Sequence, residues 1–412
     1  MIYSDCYTFG GSEYVVVNIL KSKRLNDSFN FMFAYRYSKE YQNYVMKLFS
    51  EEERKFFFPQ KLLSNDNLNN RINKSKSACN YKKTAILETI NRFFRLLDRL
   101  GCVNWYNNFL LNRFLNQCGH VDLIHINNGG YPAARTCLSL AVCAGKKGFK
   151  QLFQVNNIAL PSSVKNKLDC SVEKSVSMFL TATEFSRQRL AENRQFDINK
   201  IITLPNAVDF PLITKQRGTV LAEFGITDDS IVVTEVALLQ ERKGQIPLLN
   251  AFLLLKQRNS YLYEKIVVLL VGNGEDEAKI KSFIKDNELE SNVKMTGYRM
   301  DYLDILNASD IYAQPSICDE DMPLSILSAM ALGKPVVTTN IAGIPEEVEN
   351  GINGFTIDPH NSLFIQMLSE SLESAIINKE TMGKKSYERY LGKFTRNEYE
   401  RKLLDIYNAI IA

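Results

Sequence analysis

Between Ile311 and Thr339 the chain spells a strand, an acidic loop, a helix and a second strand, and that order admits few folds. Ile311, Tyr312 and Ala313 form a short apolar run closed by Pro315-Ser316, as expected of a buried parallel strand. Residues 318–322 are a polar loop with Asp319, Glu320 and Asp321. Pro323 suits the first turn of a helix, where its missing N–H costs nothing. Leu324, Leu327, Ala331 and Ile326, Met330 recur at helical spacing, Gly333 is placed to end the helix, and Pro335-Val336-Val337 opens the next strand. A helix N-terminus at the carboxyl end of a parallel strand offers free N–H groups and the positive end of a dipole to an anion. Carboxylates in the same loop accept hydrogen bonds from hydroxyls. Phosphate donors and sugar acceptors side by side suit a nucleotide sugar.

The segment resembles the donor-site motif of retaining GT-B glycosyltransferases of family 4 (group 1). Glu320, Pro323, Leu324, Ala329, Met330, Ala331, Gly333 and the run 335–337 match that motif. Met322 replaces its aromatic residue, and Ser328 stands where its second glutamate falls. Gly343-Ile344-Pro345-Glu346 and Asn350-Gly351 with Asn353-Gly354 continue the resemblance.

Strand-like apolar runs alternate with helical patterns nearly throughout, which argues for α/β with parallel sheets. In the first half the clearest runs are 121–126, 151–155, 178–182 and 201–204; in the second, 231–236, 266–271, 293–296, 311–313 and 335–339. The predicted fold class is therefore GT-B: two Rossmann-like, doubly wound domains. The expected division is an acceptor-binding domain over 1–205, a nucleotide-sugar domain over 206–385, and a helix over 386–412 returning to the first domain. The turn-rich Pro205–Pro211 stretch reads as the hinge. A length of 412 residues suits two such cores. The first strand is awkward: residues 1–9 are few and polar, so either the strand is short or the start lies downstream of the true one.

Composition excludes more than it selects. A net charge of +4 gives no case for nucleic acid. The eight cysteines are scattered with no Cys-x-x-Cys, which suggests neither zinc nor a disulfide framework and favours a reduced cytoplasm. No apolar run reaches about 18 residues, so no membrane span is expected. One segment differs from the rest. Ile86, Ile90, Phe93, Phe94 and Leu97 make an apolar stripe, with Arg92, Arg95 and Arg99 near its flanks. It reads either as a basic amphipathic helix resting on anionic lipid or as a helix packed on its own domain.

Several residues are candidates for the chemistry. Lys243 follows the strand 231–236 in the sequence Glu241-Arg242-Lys243-Gly244. It matches the lysine of a family motif whose Arg and Lys hold the donor diphosphate, while Ala237 and Leu238 stand where Gly and Arg are common, and Arg242 partly compensates. Gly10-Gly11 before a helix lets backbone N–H groups approach a phosphate; the helix is expected over 13–20 with Ser12 as N-cap. Glu320 matches the glutamate beside the donor sugar, with Met322, Pro323, Leu324 and Ser325 supplying N–H groups and Ser328 at the ribose. Gly297, Tyr298 and Arg299 resemble the base-contacting turn. His125 opens a loop-ward run ending Gly129-Gly130-Tyr131-Pro132 and reads as a catalytic or acceptor residue. Asn156 stands where relatives often carry histidine.

The resemblance implies a retaining, metal-independent transfer from a UDP-sugar or GDP-sugar to a saccharide or lipid-linked acceptor. It also implies no cofactor, no nucleic acid, and a cytoplasmic protein in possible peripheral contact with the inner membrane face, in bacterial surface polysaccharide synthesis. Ser328, Leu238 and Asn156 keep open a non-catalytic GT-B paralogue, and the fold alone also allows a sugar-nucleotide epimerase.

Overall fold

The computed structural model describes residues 1–6, 11–64, 66–77, 81–164, 166–318 and 320–412. Two parallel sheets organise the chain. The first holds β1 (Ile2–Ser4), β2 (Phe33–Arg36), β3 (Phe57–Gln60), β4 (Ile124–Asn128), β5 (Gln151–Val155), β6 (Met178–Thr181) and β7 (Ile201–Thr203), in the order β3-β2-β1-β4-β5-β6-β7. The second holds β8 (Ile231–Val236), β9 (Ile266–Val271), β10 (Val293–Gly297), β11 (Ile311–Gln314), β12 (Val336–Thr339) and β13 (Gly354–Ile357), in the order β10-β9-β8-β11-β12-β13. In each sheet the chain winds outward from one strand and then returns to that strand's other side. The reversal falls between β1 and β4 and between β8 and β11, the places where open α/β sheets gather ligands.

β1 has three residues, yet it is central. Ile2, Tyr3 and Ser4 pair with Phe33–Tyr35 on one side and with His125–Asn127 on the other, and all three are buried. The sequence pattern did not show β2 and β3, at one edge of the same sheet, or β13, at an edge of the second.

Contacts divide the chain into two compact units. The first comprises 1–181, 187–203 and 402–412; the second comprises 182–186 and 204–401. The first unit's core includes Tyr3, Ile126, Leu140, Phe153 and Phe179; the second's includes Val233, Leu248, Val268, Ile311 and Val337. Residues 182–186 join the second unit because Thr183 Oγ1 donates to Asp321, and the Glu346 carboxylate accepts from the Glu184 and Phe185 N–H groups at 3.0 Å each. The Arg396–Ile411 helix ends in the first unit, where Tyr407 packs edge-on against Phe29, ring centroids 5.5 Å apart. Among the described residues no helix is long and apolar enough to cross a membrane.

Candidate functional site

In the second unit the loops after β8 and β11 converge. The chain leaves β8 into a single 3-10 turn, Glu241–Lys243, and Gly244 follows with φ +84°. A Cβ on Gly244 would lie 2.0 Å from the Pro315 carbonyl oxygen, so only glycine lets the two loops touch. The Ile317 N–H donates to the Arg242 carbonyl at 2.8 Å and stitches them together. Lys243 Nζ is thereby delivered to the Glu320 carboxylate as a buried ion pair. Arg242 stands 3.7 Å from the same carboxylate. Ser316 Oγ at 3.3 Å and Gln314 Nε2 at 3.4 Å also donate to Glu320.

Directly beyond Glu320 the Leu324–Ala331 helix begins at Pro323, with no side chain capping its first turn. Those N–H groups are the ones a phosphate would take. Met322 is buried, and its carbonyl accepts from Asn206 Nδ2 at 3.2 Å. Ser325 Oγ donates to Gln314 Oε1 at 2.9 Å. Ser328 is buried one turn further on, and its hydroxyl donates to the Leu324 carbonyl at 2.9 Å. Burial raises the Tyr302 phenol pKa, and a bond to Ser328 partly offsets the rise. Thus the place of the family glutamate holds a serine occupied by its own helix and by Tyr302.

Three further acids lie close by, of which Glu235 and Glu347 were not singled out in the sequence and Asp321 was read only as part of the polar loop. Glu235, at the end of β8, is buried and takes a 2.8 Å bond from Gln245; burial drives its pKa well up, and Lys243 opposes that. Glu347 is fully buried, and burial followed by repulsion from Glu320 raises it in the same way. Burial lifts Asp321 to about 6. A charged residue inside the apolar run 231–236 was the available signal for Glu235. Lys243 thus has Glu320 as its ion-pair partner, and burial favours the uncharged forms of Glu235 and Glu347 nearby.

The other predicted positions fall out as follows. Gly297 takes φ +71° and Tyr298 is 65% exposed. The Arg299 guanidinium bonds to Asp301 at 2.7 Å and Glu223 at 2.6 Å, which holds the Asp301 carboxyl far below its usual range. Gly10 and Asp319 lie outside the described residues. Gly11 opens the Gly11–Leu20 helix; Ser12 lies inside that helix rather than capping it, and its hydroxyl donates to Glu13.

His125 is a correction. It lies in β4 opposite Ile2, fully enclosed, with Nδ1 2.6 Å from the Tyr407 hydroxyl and Nε2 3.0 Å from Gln154 Oε1. Both ring nitrogens are spent on the protein, and burial lowers its pKa to about 4. It is a neutral packing histidine with no nitrogen left for a substrate.

The first unit instead offers a cavity of about 930 Å³ at the carboxyl ends of its strands. Asp5, in ion pair with Arg36, lines it and accepts from Thr136 N at 3.1 Å and Thr136 Oγ1 at 2.7 Å. Gly129, Gly130 and Arg194 also face it, so the glycine loop that His125 introduces reaches the cavity although the histidine does not.

Two parallel, doubly wound sheets with these strand orders define a GT-B protein. Along its whole length the chain resembles a glycosyltransferase from Rickettsia africae, with a TM-score of 0.75, 17% identity and coverage of 100% of this chain and 98% of that one. It resembles Anabaena HepE in complex with UDP equally broadly, with a TM-score of 0.72, 17% identity and 99% of each chain covered. Residues 217–391 match the family model "Glycosyl transferases group 1". The amylovoran biosynthesis glycosyltransferase AmsK of Erwinia amylovora is 27% identical over 58% of this chain and 65% of its own length. The UDP-Gal:alpha-D-GlcNAc-diphosphoundecaprenol alpha-1,3-galactosyltransferase of Escherichia coli is 30% identical over 51% of this chain and 54% of its own. The chain therefore spans between about half and two thirds of the length of these curated relatives.

Proposed function

We propose that the protein transfers a sugar from a nucleoside-diphosphate sugar to a saccharide or lipid-linked saccharide acceptor in surface polysaccharide synthesis, with retention and without a metal. The observation that carries this is Lys243 held buried against Glu320, beside the uncapped N-terminus of the Leu324–Ala331 helix. Lys243 and the helix N–H groups neutralise the diphosphate; Glu320 takes the sugar hydroxyls. Preorganised charge of this kind is usually the largest catalytic term. The bond from the anomeric carbon to the phosphate oxygen breaks, and the acceptor oxygen bonds on the same face. The acceptor's proton passes to the departing phosphate oxygen. This route asks for no protein base, which agrees with a His125 that has no nitrogen to offer.

UDP is the first nucleotide to test, since HepE was solved with UDP and with UDP-glucose and the E. coli relative is named for UDP-Gal. The cavity of the first unit is the acceptor's place, and peripheral contact with the inner membrane face is part of the proposal.

The test is a thermal-shift titration with UDP, GDP and their sugar conjugates, followed by a transfer assay run with and without EDTA. Ligand at about a hundred times its dissociation constant adds about 2.7 kcal/mol of stability. The expected result is a shift with uridine nucleotides alone and turnover that survives EDTA. Absence of a shift with every nucleotide would favour the non-catalytic paralogue, the reading that the occupied Ser328 hydroxyl supports.

A further inference from the structure

A fully buried amide joins the two halves of the donor site. Gln314 ends β11, and with Tyr312 and Ser316 it makes a row of polar side chains in an apolar interior, all three fully buried. Its Oε1 accepts from the Tyr312 hydroxyl at 2.5 Å and from Ser325 Oγ at 2.9 Å. Its Nε2 donates to Ser316 Oγ at 3.1 Å and to Glu320 Oε2 at 3.4 Å. An amide offers two acceptor and two donor positions, and all four are taken. A carboxylate only accepts, so the nitrogen must face Glu320, and the oxygen faces Ser325 in the first turn of the Leu324–Ala331 helix. β12 pins the same strand end: Thr338 Oγ1 donates to the Gln314 carbonyl at 2.8 Å.

The linkage matters because the chain between its two ends is irregular. Asp321, Met322 and Pro323 separate Glu320 from the helix and belong to no helix or strand. The spacing of the carboxylate and the helix N–H groups is therefore held by side chains, and Gln314 bonds to both sides of it. A buried polar row costs stability unless its members are bonded, and an apolar residue at the end of a buried strand would pack without that demand. We infer that Gln314 is a positioning residue: it fixes the Glu320 carboxylate against the first turn of the Leu324–Ala331 helix, so that the sugar and the diphosphate of one donor are held together in the geometry of transfer. This rests on the donor site proposed above. The groups in electrostatic contact with Glu320 are Lys243, Arg242, Glu235, Asp321 and Glu347, with Tyr312 on the strand of Gln314 itself. All of them are common to wild type and variants, so a ratio of the two isolates position 314.

The experiment compares the full chain with Gln314→Leu and Gln314→Glu by UDP affinity, by UDP release from UDP-glucose and UDP-galactose across pH, and by crystal structure. Expected for Gln314→Leu are a UDP affinity within about threefold of wild type and a turnover lower by about a hundredfold, the cost of misplacing a reacting group by an ångström. Gln314→Glu sets a second carboxylate against Glu320, and two carboxylates at that range tend to share one proton. A protonated carboxyl has both the donor and the acceptor that the amide has. The turnover of Gln314→Glu relative to wild type should therefore rise about tenfold as pH falls from about 8 to about 5, while Gln314→Leu stays low throughout. A side chain that only supports the fold would show no such rescue. Gln314→Leu within about threefold of wild-type turnover overturns the inference, as does a Gln314→Glu ratio that is flat with pH. Should Gln314→Leu fail to fold, Gln314→Glu carries the kinetic test alone. A wild type that releases no UDP from either sugar counts against the transferase reading, and the crystal structures then decide this inference separately. Glu320 displaced from Ser325 in the variants supports it, and Glu320 unmoved overturns it.

Discussion

At the scale of single residues the site turns on one buried pair. Lys243 and Glu320 are 77 positions apart, and each is the other's principal counter-charge. Removing one member of a buried pair leaves the other's charge stranded, typically at 3–5 kcal/mol. Lys243→Ala should cost about 3 kcal/mol, the low end of that range, because Arg242 remains 3.7 Å from the carboxylate. Turnover should fall by about a hundredfold, the loss seen when one preorganised charge-stabilising group goes. Steady-state kinetics beside a melting curve check both, and a folded variant with near-normal turnover would refute the role. Sequence showed Lys243 and Glu320 as types in a pattern. It could not show that they touch, since the contact is made by the fold. It also hid the occupied state of Ser328, because the occupying groups are a carbonyl on its own helix and Tyr302 from another element.

At the scale of elements, the second unit was far more legible than the first. Its strand β9 is an unbroken apolar run and β8 and β11 are mostly apolar, the pattern that burial on both faces demands. The strands β2 and β3 have four residues each, with Arg36 and Pro59 among them, and such short polar-tipped segments carry little periodicity. The Tyr81–Arg99 helix shows another limit. Its apolar stripe was visible, but which face turns inward depends on Asn69 and Ser75 of a neighbouring helix. Loop contact gives a prediction at this scale. Gly244→Ala must hold a left-handed conformation and push its Cβ against the Pro315 carbonyl. A loss of about 2–3 kcal/mol is expected, together with weaker nucleotide binding, because the loop carrying Lys243 must move. A melting temperature equal to wild type would show that the loop has another way to pack.

At the scale of the whole molecule, the first unit depends on a histidine that must stay neutral. His125 is lowered to about 4 in the folded protein, whereas in the unfolded chain it takes up its proton near 6.5. Between those values the unfolded state binds more protons, so stability falls as pH falls through the window, by up to about 3 kcal/mol. His125→Gln removes the titration. Denaturant unfolding at neutral pH and near pH 5 should show wild type losing more stability than the variant, and parallel losses would reject this account. The histidine's other partner, Tyr407, belongs to residues 402–412, which the first unit borrows from beyond the entire second unit.

That borrowing sets an order of events during synthesis. The first unit's sheet strands have all emerged once residue 203 is made, yet the side chain that closes over His125 is some two hundred residues away along the template. At 5–20 residues per second the wait is roughly 10–40 s. The domain translated first is thus finished last, and through that interval the floor of its sheet, with Phe29 and His125, stands open to whatever reaches it.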